Sequence, residues 1–363
     1  MNIIRGLHSL PPALARGCAL TIGNFDGVHR GHQAMLALLN SEARHRGVPS
    51  CVMTFEPHPR DYFAAARQQP DLAPARIATL RDKLSELARC GIDHCLVLPF
   101  NARLAAQTAG AFITETLVGA LNVRYVLVGD DFCFGAGRKG DYAMLDAAGD
   151  AHGFDVARMQ SYEVHGLRVS SSAVREALGQ GRMQDVAALL GRPYGITGHV
   201  VHGRQLGRQL GASAVGQDDG FRTLNLRFAH WKPAASGIFV VQVHGLGPDP
   251  GSPPLPGVAN LGVRPSLDPT DVNGGRVLLE THCLSWPDEV SASLPLHRGQ
   301  REAYGKIVRV DLLHKLHDEL TYSDLDALTQ GIARDCADAR AFFAQGRHLT
   351  HTQTRRQTTR DRI

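Results

Sequence analysis

Four short apolar runs in the first half of the chain, Cys18–Ile22, Cys51–Phe55, Cys95–Leu98 and Tyr125–Val128, each stop at a polar cluster and give way to a helical pattern. Strand, turn and crossover helix repeated in this way predict a doubly wound parallel sheet, because parallel neighbours need a crossover of about a dozen residues. The clusters are Gly23-Asn24-Phe25-Asp26-Gly27, Glu56-Pro57-His58-Pro59, Pro99-Phe100-Asn101 and Gly129-Asp130-Asp131. Open α/β sheets bind ligands outside the carboxyl ends of their strands, so these clusters are expected to converge on one crevice. Ile77, Leu80, Leu84 and Leu87 follow helical spacing and read as core contacts of one crossover helix.

The pattern changes after Gly191-Arg192-Pro193. From there β-type runs (Ile196–Val201, Leu224–Phe228, Phe239–Val243, Val277–Thr281 and Ile307–Val310) alternate with Gly/Pro turns, which predicts a small antiparallel barrel. A Pro/Gly-rich loop covers Gly245–Gly257, and a closing helix is expected from Ser323, as its N-cap, to Ala344. Two cores suit a chain of 363 residues. The expected division is 1–188 and 189–346, followed by an arginine-rich tail, 347–363, read as disordered.

Composition narrows the function. The chain is 43% hydrophobic and 20% charged, with no apolar run near the roughly 20 residues that cross a bilayer. The start, Met1–Leu10, lacks the plan of a signal peptide, so the expected location is cytoplasmic, with no membrane partner. The seven cysteines form no C-x-x-C pair, and reduced buried thiols are expected rather than disulfides or zinc ligands. A net charge of +4 is mild for this length, so the partners expected are small molecules rather than nucleic acid.

Two segments have the chemistry of phosphate cradles. Gly23-Asn24-Phe25-Asp26-Gly27-Val28-His29-Arg30-Gly31-His32 ends one strand and opens a helix, where glycines admit a close anion and free N–H groups attract it. His29 and His32, three residues apart, reach one side of the first turn and are candidate donors to developing charge. In the second segment, Val169-Ser170-Ser171-Ser172-Ala173-Val174-Arg175, serines stand at capping positions and Arg175 adds a charged donor. Gly135-Ala136-Gly137-Arg138-Lys139-Gly140 spells G-x-G-x-x-G, but it is separated from its strand and reads as a flexible basic loop.

Together these segments resemble the signatures of the nucleotidyltransferase superfamily related to class I aminoacyl-tRNA synthetases. Phe55-Glu56-Pro57-His58-Pro59 and Val128-Gly129-Asp130-Asp131-Phe132-Cys133-Phe134-Gly135 narrow the resemblance to the FMN adenylyltransferase half of prokaryotic bifunctional flavin enzymes. The resemblance implies attack by the FMN phosphate on the ATP α-phosphorus, giving FAD and pyrophosphate. It implies catalytic roles for His29, His32 and Arg175, phosphate binding by Gly23, Asn24, Phe25, Asp26, Gly31, Ser171 and Ser172, and a flavin-phosphate or ATP pocket lined by His58 and Asp131.

No G-x-x-x-x-G-K-[ST] motif supplies a P-loop in the second half. Gly198–Gly203 followed by Arg204–Gly211 is instead similar to the opening of the riboflavin kinase domain, which implies a phosphate loop through Gly203, Gly207, Arg208 and Gly211. That family's Phe-Pro-Thr-Ala-Asn stretch corresponds to Phe221-Arg222-Thr223-Leu224-Asn225, displaced here by residues 212–220. The resemblance implies Mg2+ and nucleotide phosphate at Thr223 and Asn225, and a catalytic carboxylate, Glu280, that takes the proton of the riboflavin 5′-hydroxyl as ATP phosphorylates it. Arg222 in place of proline with the insertion 212–220, His317 in place of an arginine that in the family contacts flavin or nucleotide, and the basic tail 347–363 as a candidate RNA contact leave two alternatives. One is a monofunctional FMN adenylyltransferase with a degenerate kinase domain; the other is a flavin-sensing or RNA-binding protein on a retired enzyme scaffold.

Overall fold

A computed structural model describes residues 1–160, 162–164, 166–201, 223–227, 232–247, 249, 251–264, 276–285 and 303–346. The phosphate-loop candidates Gly203, Gly207, Arg208 and Gly211, the substituted Arg222 and the tail 347–363 lie outside the described residues.

The first half is an α/β unit. In chain order it comprises β1 (Asn2–Arg5), α1 (Pro12–Ala15), β2 (Ala19–Ile22), α2 (Arg30–Arg46), β3 (Ser50–Glu56), α3 (Pro59–Ala66), α4 (Leu80–Arg89), β4 (His94–Pro99) and α5 (Ala102–Ala106). It continues with α6 (Ala109–Ala111), which runs into a wider helical turn at Phe112–Ala120, then β5 (Tyr125–Gly129), α7 (Tyr142–His152) and β6 (Asp155–Met159). The strands form one parallel sheet in the order β1-β4-β3-β2-β5-β6. The apolar runs are buried on both faces, as parallel strands require: Cys51, Met53 and Leu96 pack on one side, and Val52, Cys95 and Leu127 on the other with Leu36, Leu39 and Leu87.

All four expected strands are present, and two edge strands join them. Neither β1 nor β6 has an apolar run, because an edge strand with exposed positions needs none. The described cysteines are free and mostly buried. Ile77 is not helical, contrary to the spacing: Thr79 caps α4, its hydroxyl accepting from Asp82 N at 3.1 Å, so the helix starts at Leu80. Nor is α4 merely a core helix, since Asp82, Lys83 and Glu86 are all buried. The G-x-G-x-x-G stretch is closed rather than loose: Phe134 and Gly140 exchange backbone hydrogen bonds at 3.0 and 2.9 Å, and Ala136 N donates to Gln107 O at 2.8 Å.

A two-stranded ribbon, β7 (Glu163–Val164) and β8 (Leu167–Arg168), leads to α8 (Ser171–Gly179) and α9 (Met183–Leu190). The second half is a closed antiparallel barrel, β10-β13-β12-β11-β14-β9, made of β9 (Tyr194–Val201), β10 (Leu224–Arg227), β11 (Gly237–His244), β12 (Leu255–Arg264), β13 (Arg276–Cys283) and β14 (Ile307–His317). β12 takes over the end of the expected Gly245–Gly257 loop, with Pro256 tolerated near the strand start. The closing helix α10 (Leu325–Ala344) is capped by Asp324, not Ser323: the Asp324 carboxylate accepts from Ala327 N at 2.8 Å and from the Ser323 hydroxyl at 2.9 Å.

The halves are joined through packing. Val174, Ala177, Leu178, Met183, Val186 and Leu190 of α8 and α9 share one buried cluster with Ile196, Phe239, Val310 and Leu312 of the barrel.

Candidate active site

The loop between β2 and α2 is held in an uncommon shape. Phe25, Gly27 and Val28 have φ of 48°, 81° and 42°, and a β-branched residue such as Val28 rarely adopts a left-handed backbone. Asp26 anchors the loop from a buried position. Its carboxylate accepts from Ile77 N at 3.2 Å, Ala78 N at 3.1 Å and the Arg175 guanidinium at 2.6 Å. Burial alone would raise its pKa, but Arg175, Arg76 and the two amides outweigh it and hold the carboxyl below its ordinary value.

His29 is the N-cap of α2: its Nδ1 accepts from His32 N at 3.3 Å. That contact assigns the ring proton to Nε2. The His32 ring stacks on His29 at 3.6 Å between centroids and meets Phe25 at 4.9 Å. Burial first, then the nearby Arg175 and Arg192 against the opposing pull of Asp26, pushes His29 down to about 4. Burial, His29 and Lys83 lower His32 as well. Both imidazoles are therefore neutral near pH 7. A Cβ at Gly31 would stand 3.3 Å from the His29 ring and 3.5 Å from Val169 O, so glycine permits the approach of the next segment.

That segment is the start of α8. Ser170 caps the helix by accepting from Ala173 N at 3.1 Å, and the Ser171 hydroxyl donates to Asp26 O at 3.1 Å. Arg175, one turn in, also donates through Nε to Ala75 O at 2.7 Å. Ser172 is exposed. The amino ends of α2 and α8 thus meet at the carboxyl edge of the sheet, with two sets of helix-terminal N–H groups on one side of the loop.

Neighbouring strand ends complete the rim. His58 follows a cis Glu56–Pro57 bond and caps α3, its Nδ1 accepting from Arg60 N at 3.1 Å. Burial, then Arg76, pushes it down to about 3, so this histidine is neutral too. Asp131 is exposed beyond β5, next to β2 in the sheet, while Asp130 pairs with Arg168 at 3.4 Å. Phe100 packs edge-on against Phe55, Tyr62 and Phe63 with centroids 5.8, 5.4 and 5.7 Å away.

Two buried cations escape sequence reading. Arg76 bridges Asp61 at 2.7 Å and Glu56 at 3.1 Å. Lys83 is wholly buried, its Nζ 3.4 Å from Thr54 Oγ1, which in turn donates to Asn24 O at 3.3 Å. Burial and Arg76 lower the Lys83 pKa, against Asp26 and Glu56. Asn24 Oδ1 is buried with no hydrogen-bond partner among the described residues, an acceptor beside the loop.

In the barrel, Asn225 of β10, Glu280 of β13 and Asn260 of β12 occupy one cross-strand row, Asn225 opposite Glu280 and Glu280 opposite Asn260. Residues in such a row project to the same face. The Asn225 amide lies 3.3 Å from Thr223 O and 3.5 Å from Thr223 Oγ1, which brings the two expected metal-loop residues together. Asn260 Oδ1 and Thr281 Oγ1 are buried without partners among the described residues. His317, at a usual arginine position of the family, ties β14 to α10: Nε2 meets Asp335 Oδ1 at 2.8 Å and Nδ1 meets Asp318 O at 2.7 Å.

Comparison with known proteins divides the chain in the same two parts. The family model described as FAD synthetase matches residues 12–173, and that of riboflavin kinase matches 190–343. The bifunctional riboflavin kinase/FMN adenylyltransferase of Escherichia coli K12 is 44% identical over 94% of this chain and 98% of its own. The Pseudomonas fluorescens protein of that description is 40% identical over 96% and 100%. A crystal structure described as a macrolide-efflux protein from Streptococcus pneumoniae superposes with a TM-score of 0.69 at 25% identity, covering 94% of this chain and 99% of that one. Among the described residues no helix is long and apolar enough to cross a membrane.

Proposed function

The chain belongs to the bifunctional riboflavin kinase/FMN adenylyltransferase family, and from that premise we propose that it converts riboflavin and ATP to FMN and ADP, then FMN and ATP to FAD and pyrophosphate. We assign adenylyl transfer to residues 1–188 and phosphorylation to 189–346. The observation that carries the reading is the meeting of α2 and α8 through Asp26, which receives the Ser171 hydroxyl on its carbonyl and the Arg175 guanidinium on its carboxylate.

In adenylyl transfer a phosphate oxygen of FMN forms a bond to the ATP α-phosphorus as the bond from that phosphorus to the bridging β-oxygen breaks. Negative charge grows on the departing pyrophosphate. Neutral His29, with its proton on Nε2, and neutral His32 donate hydrogen bonds there, while the N–H groups opening α2 and α8 hold the phosphates. Neutral donors suit a site already crowded by Arg175, Arg76 and Lys83, because protonating a buried imidazole there adds like charge. Arg175 supplies the fixed cation, and Gly23, Asn24, Phe25, Asp26, Gly31, Ser171 and Ser172 shape the phosphate-facing loops. His58 and Asp131 border the pocket for the flavin phosphate or ATP.

In phosphorylation Glu280 takes the proton of the riboflavin 5′-hydroxyl while that oxygen bonds to the γ-phosphorus and ADP leaves. Thr223 and Asn225 would hold magnesium, which would neutralise charge on the transferring phosphoryl group. The Thr223 hydroxyl and the Asn225 amide, 3.5 Å apart, offer hard oxygens of the kind that ion takes. Gly203, Gly207, Arg208 and Gly211 complete the proposal as its phosphate loop.

The test is chromatography of products after incubation with ATP, magnesium and either riboflavin or FMN. FMN and FAD from riboflavin, and FAD from FMN, are expected. FAD from supplied FMN alone would overturn the kinase assignment, and no product from either flavin would overturn both.

A further inference from the structure

Arg192, at the junction between α9 and the barrel, is mostly buried against the strained loop of the other half. Its Nη2 donates to Gly27 O at 2.8 Å, and its Nη1 to Val28 O at 3.3 Å and Leu190 O at 3.1 Å. Its Nε faces Glu86 of α4 at 3.2 Å. Gln33 of α2 bonds the same pair of carbonyls, Val28 O at 2.9 Å and Leu190 O at 2.7 Å. Val28 therefore has its carbonyl gripped from two sides at the residue where the backbone is least at ease, with φ of 42°, one residue before His29. Such conformations persist only where the surroundings over-determine them.

The grip continues into the barrel. Glu86 also receives Arg309 of β14 at 3.4 Å, Arg309 is held by Asp311 at 2.6 Å, and Asp311 pairs with His244 of β11 at 3.1 Å. On the same helix, Asp82 accepts from Thr197 N of β9 at 3.3 Å. A chain of charge-assisted contacts thus runs from the barrel wall through α4 and Arg192 to the two carbonyls that precede His29.

We propose that Arg192 is the positioning residue through which the barrel half sets the His29 loop, so that adenylyl transfer in one half depends on a guanidinium supplied at the head of the other. The proposal rests on the reading of the 23–32 loop as the adenylyl-transfer site. Without Arg192, Gly27 O and Val28 O lose a shared donor and Val28 is released toward a negative φ, which swings His29 away from the departing pyrophosphate. Glu86 keeps Arg309 and Arg89, and Val28 O keeps Gln33, so the fold retains its own support.

The test uses the full chain. Arg192→Ala, Arg192→Lys and wild type are compared for FMN-to-FAD turnover, for riboflavin-to-FMN turnover and for melting temperature. Arg192→Ala is expected to lower kcat for FAD formation about tenfold, as slight misplacement of a transition-state donor does, with KM for ATP and FMN within about twofold. Riboflavin phosphorylation stays near wild type, and melting falls by a few degrees because Gly27 O loses its donor. Arg192→Lys is expected to remain as slow, since one ammonium cannot reach three carbonyls and Glu86 together. Added methylguanidine is expected to raise the rate of Arg192→Ala but not of wild type. If Arg192→Ala does not fold, Arg192→Gln carries the same comparison. Wild-type kcat in a folded variant overturns the proposal while leaving the reading of the site intact; wild type that forms no FAD from FMN overturns both.

Discussion

The Asp26–Arg175 pair offers the most quantitative handle on the site. Asp26 is 1% exposed, and its two amide donors come from Ile77 and Ala78, so Arg175→Met would leave a buried carboxylate with dipoles and the field of Arg76 but no cation in direct contact. Breaking a fully buried pair from one side costs roughly 3–5 kcal/mol. The Arg175 side chain is 20% exposed and admits some water, which places the expected loss near the lower limit, about 3 kcal/mol. Asp26→Asn removes the charge but leaves one amide donor facing an NH2 group, at a cost of about 2 kcal/mol. The double variant no longer holds an orphaned charge, so the two losses should not add, and a coupling of about 1–2 kcal/mol is expected. Urea unfolding followed by far-ultraviolet circular dichroism is the suitable readout, because both tryptophans, Trp231 and Trp286, belong to the barrel half of the sequence. The halves need not unfold together, so the first transition is compared. Since Asp26 is held below its ordinary 3.8, its contribution is present above that pH and is lost as pH falls through the depressed folded value. Asp26→Asn should lack that acid limb. A coupling below about 0.5 kcal/mol, or an unchanged acid limb, would refute the pairing as the loop's anchor.

Three further outcomes follow from the geometry. His32→Ala should fold normally and slow FAD formation by roughly two orders of magnitude, as loss of one transition-state donor does; near-normal turnover would make its stacking on His29 purely structural. Glu280→Gln should lose riboflavin phosphorylation yet still convert supplied FMN to FAD, a separation read directly by product chromatography, and loss of both reactions would contradict two independent sites. His317 is desolvated, but its bonds to Asp318 O and Asp335 raise its pKa above 6.5. The raised value means that this tie stabilises α10 fully below pH 6.5 and is lost as pH rises through the folded value, so amide exchange in Leu325–Ala344 should accelerate over that range in wild type but not in His317→Gln.

Which parts of this fold could be read from sequence follows from what each part is made of. β2, β3, β4 and β5 are buried on both faces and so write themselves as apolar runs, whereas the edge strands β1 and β6 bury too little to do so. Ser323 is misplaced as the cap of α10 because Ser323 and Asp324 are adjacent and both are good caps, and only backbone position decides for Asp324. His29, His32 and Arg175 were legible because short local spacing at helix starts carries their chemistry. Arg76, Lys83 and Arg192 were not: each acts across the fold, and their partners lie in other elements. Arg192 looked like part of a boundary, since in sequence it stands between a helix and a barrel and 165 residues from Gly27.

The same distinction explains why the histidines must be read with their surroundings. A sequence offers two imidazoles with an ordinary pKa near 6.5, whose charge at neutral pH is undecided. The structure removes that freedom by burying His29 and stacking His32 on it, beside Arg175, Arg192 and Lys83. In such a place a proton on His29 would oppose Arg175 and Arg192, one on His32 would oppose Lys83, and either would gain little from water. The loop therefore separates two tasks that one charged histidine would otherwise combine: permanent positive charge comes from arginine, and directional donation comes from neutral rings. Separating them keeps the hydrogen-bond pattern of the site fixed across the pH range in which free histidine changes state. It also makes backbone placement, rather than charge, the quantity on which His29 depends, and backbone placement at Val28 is what Asp26, Gln33 and Arg192 jointly hold.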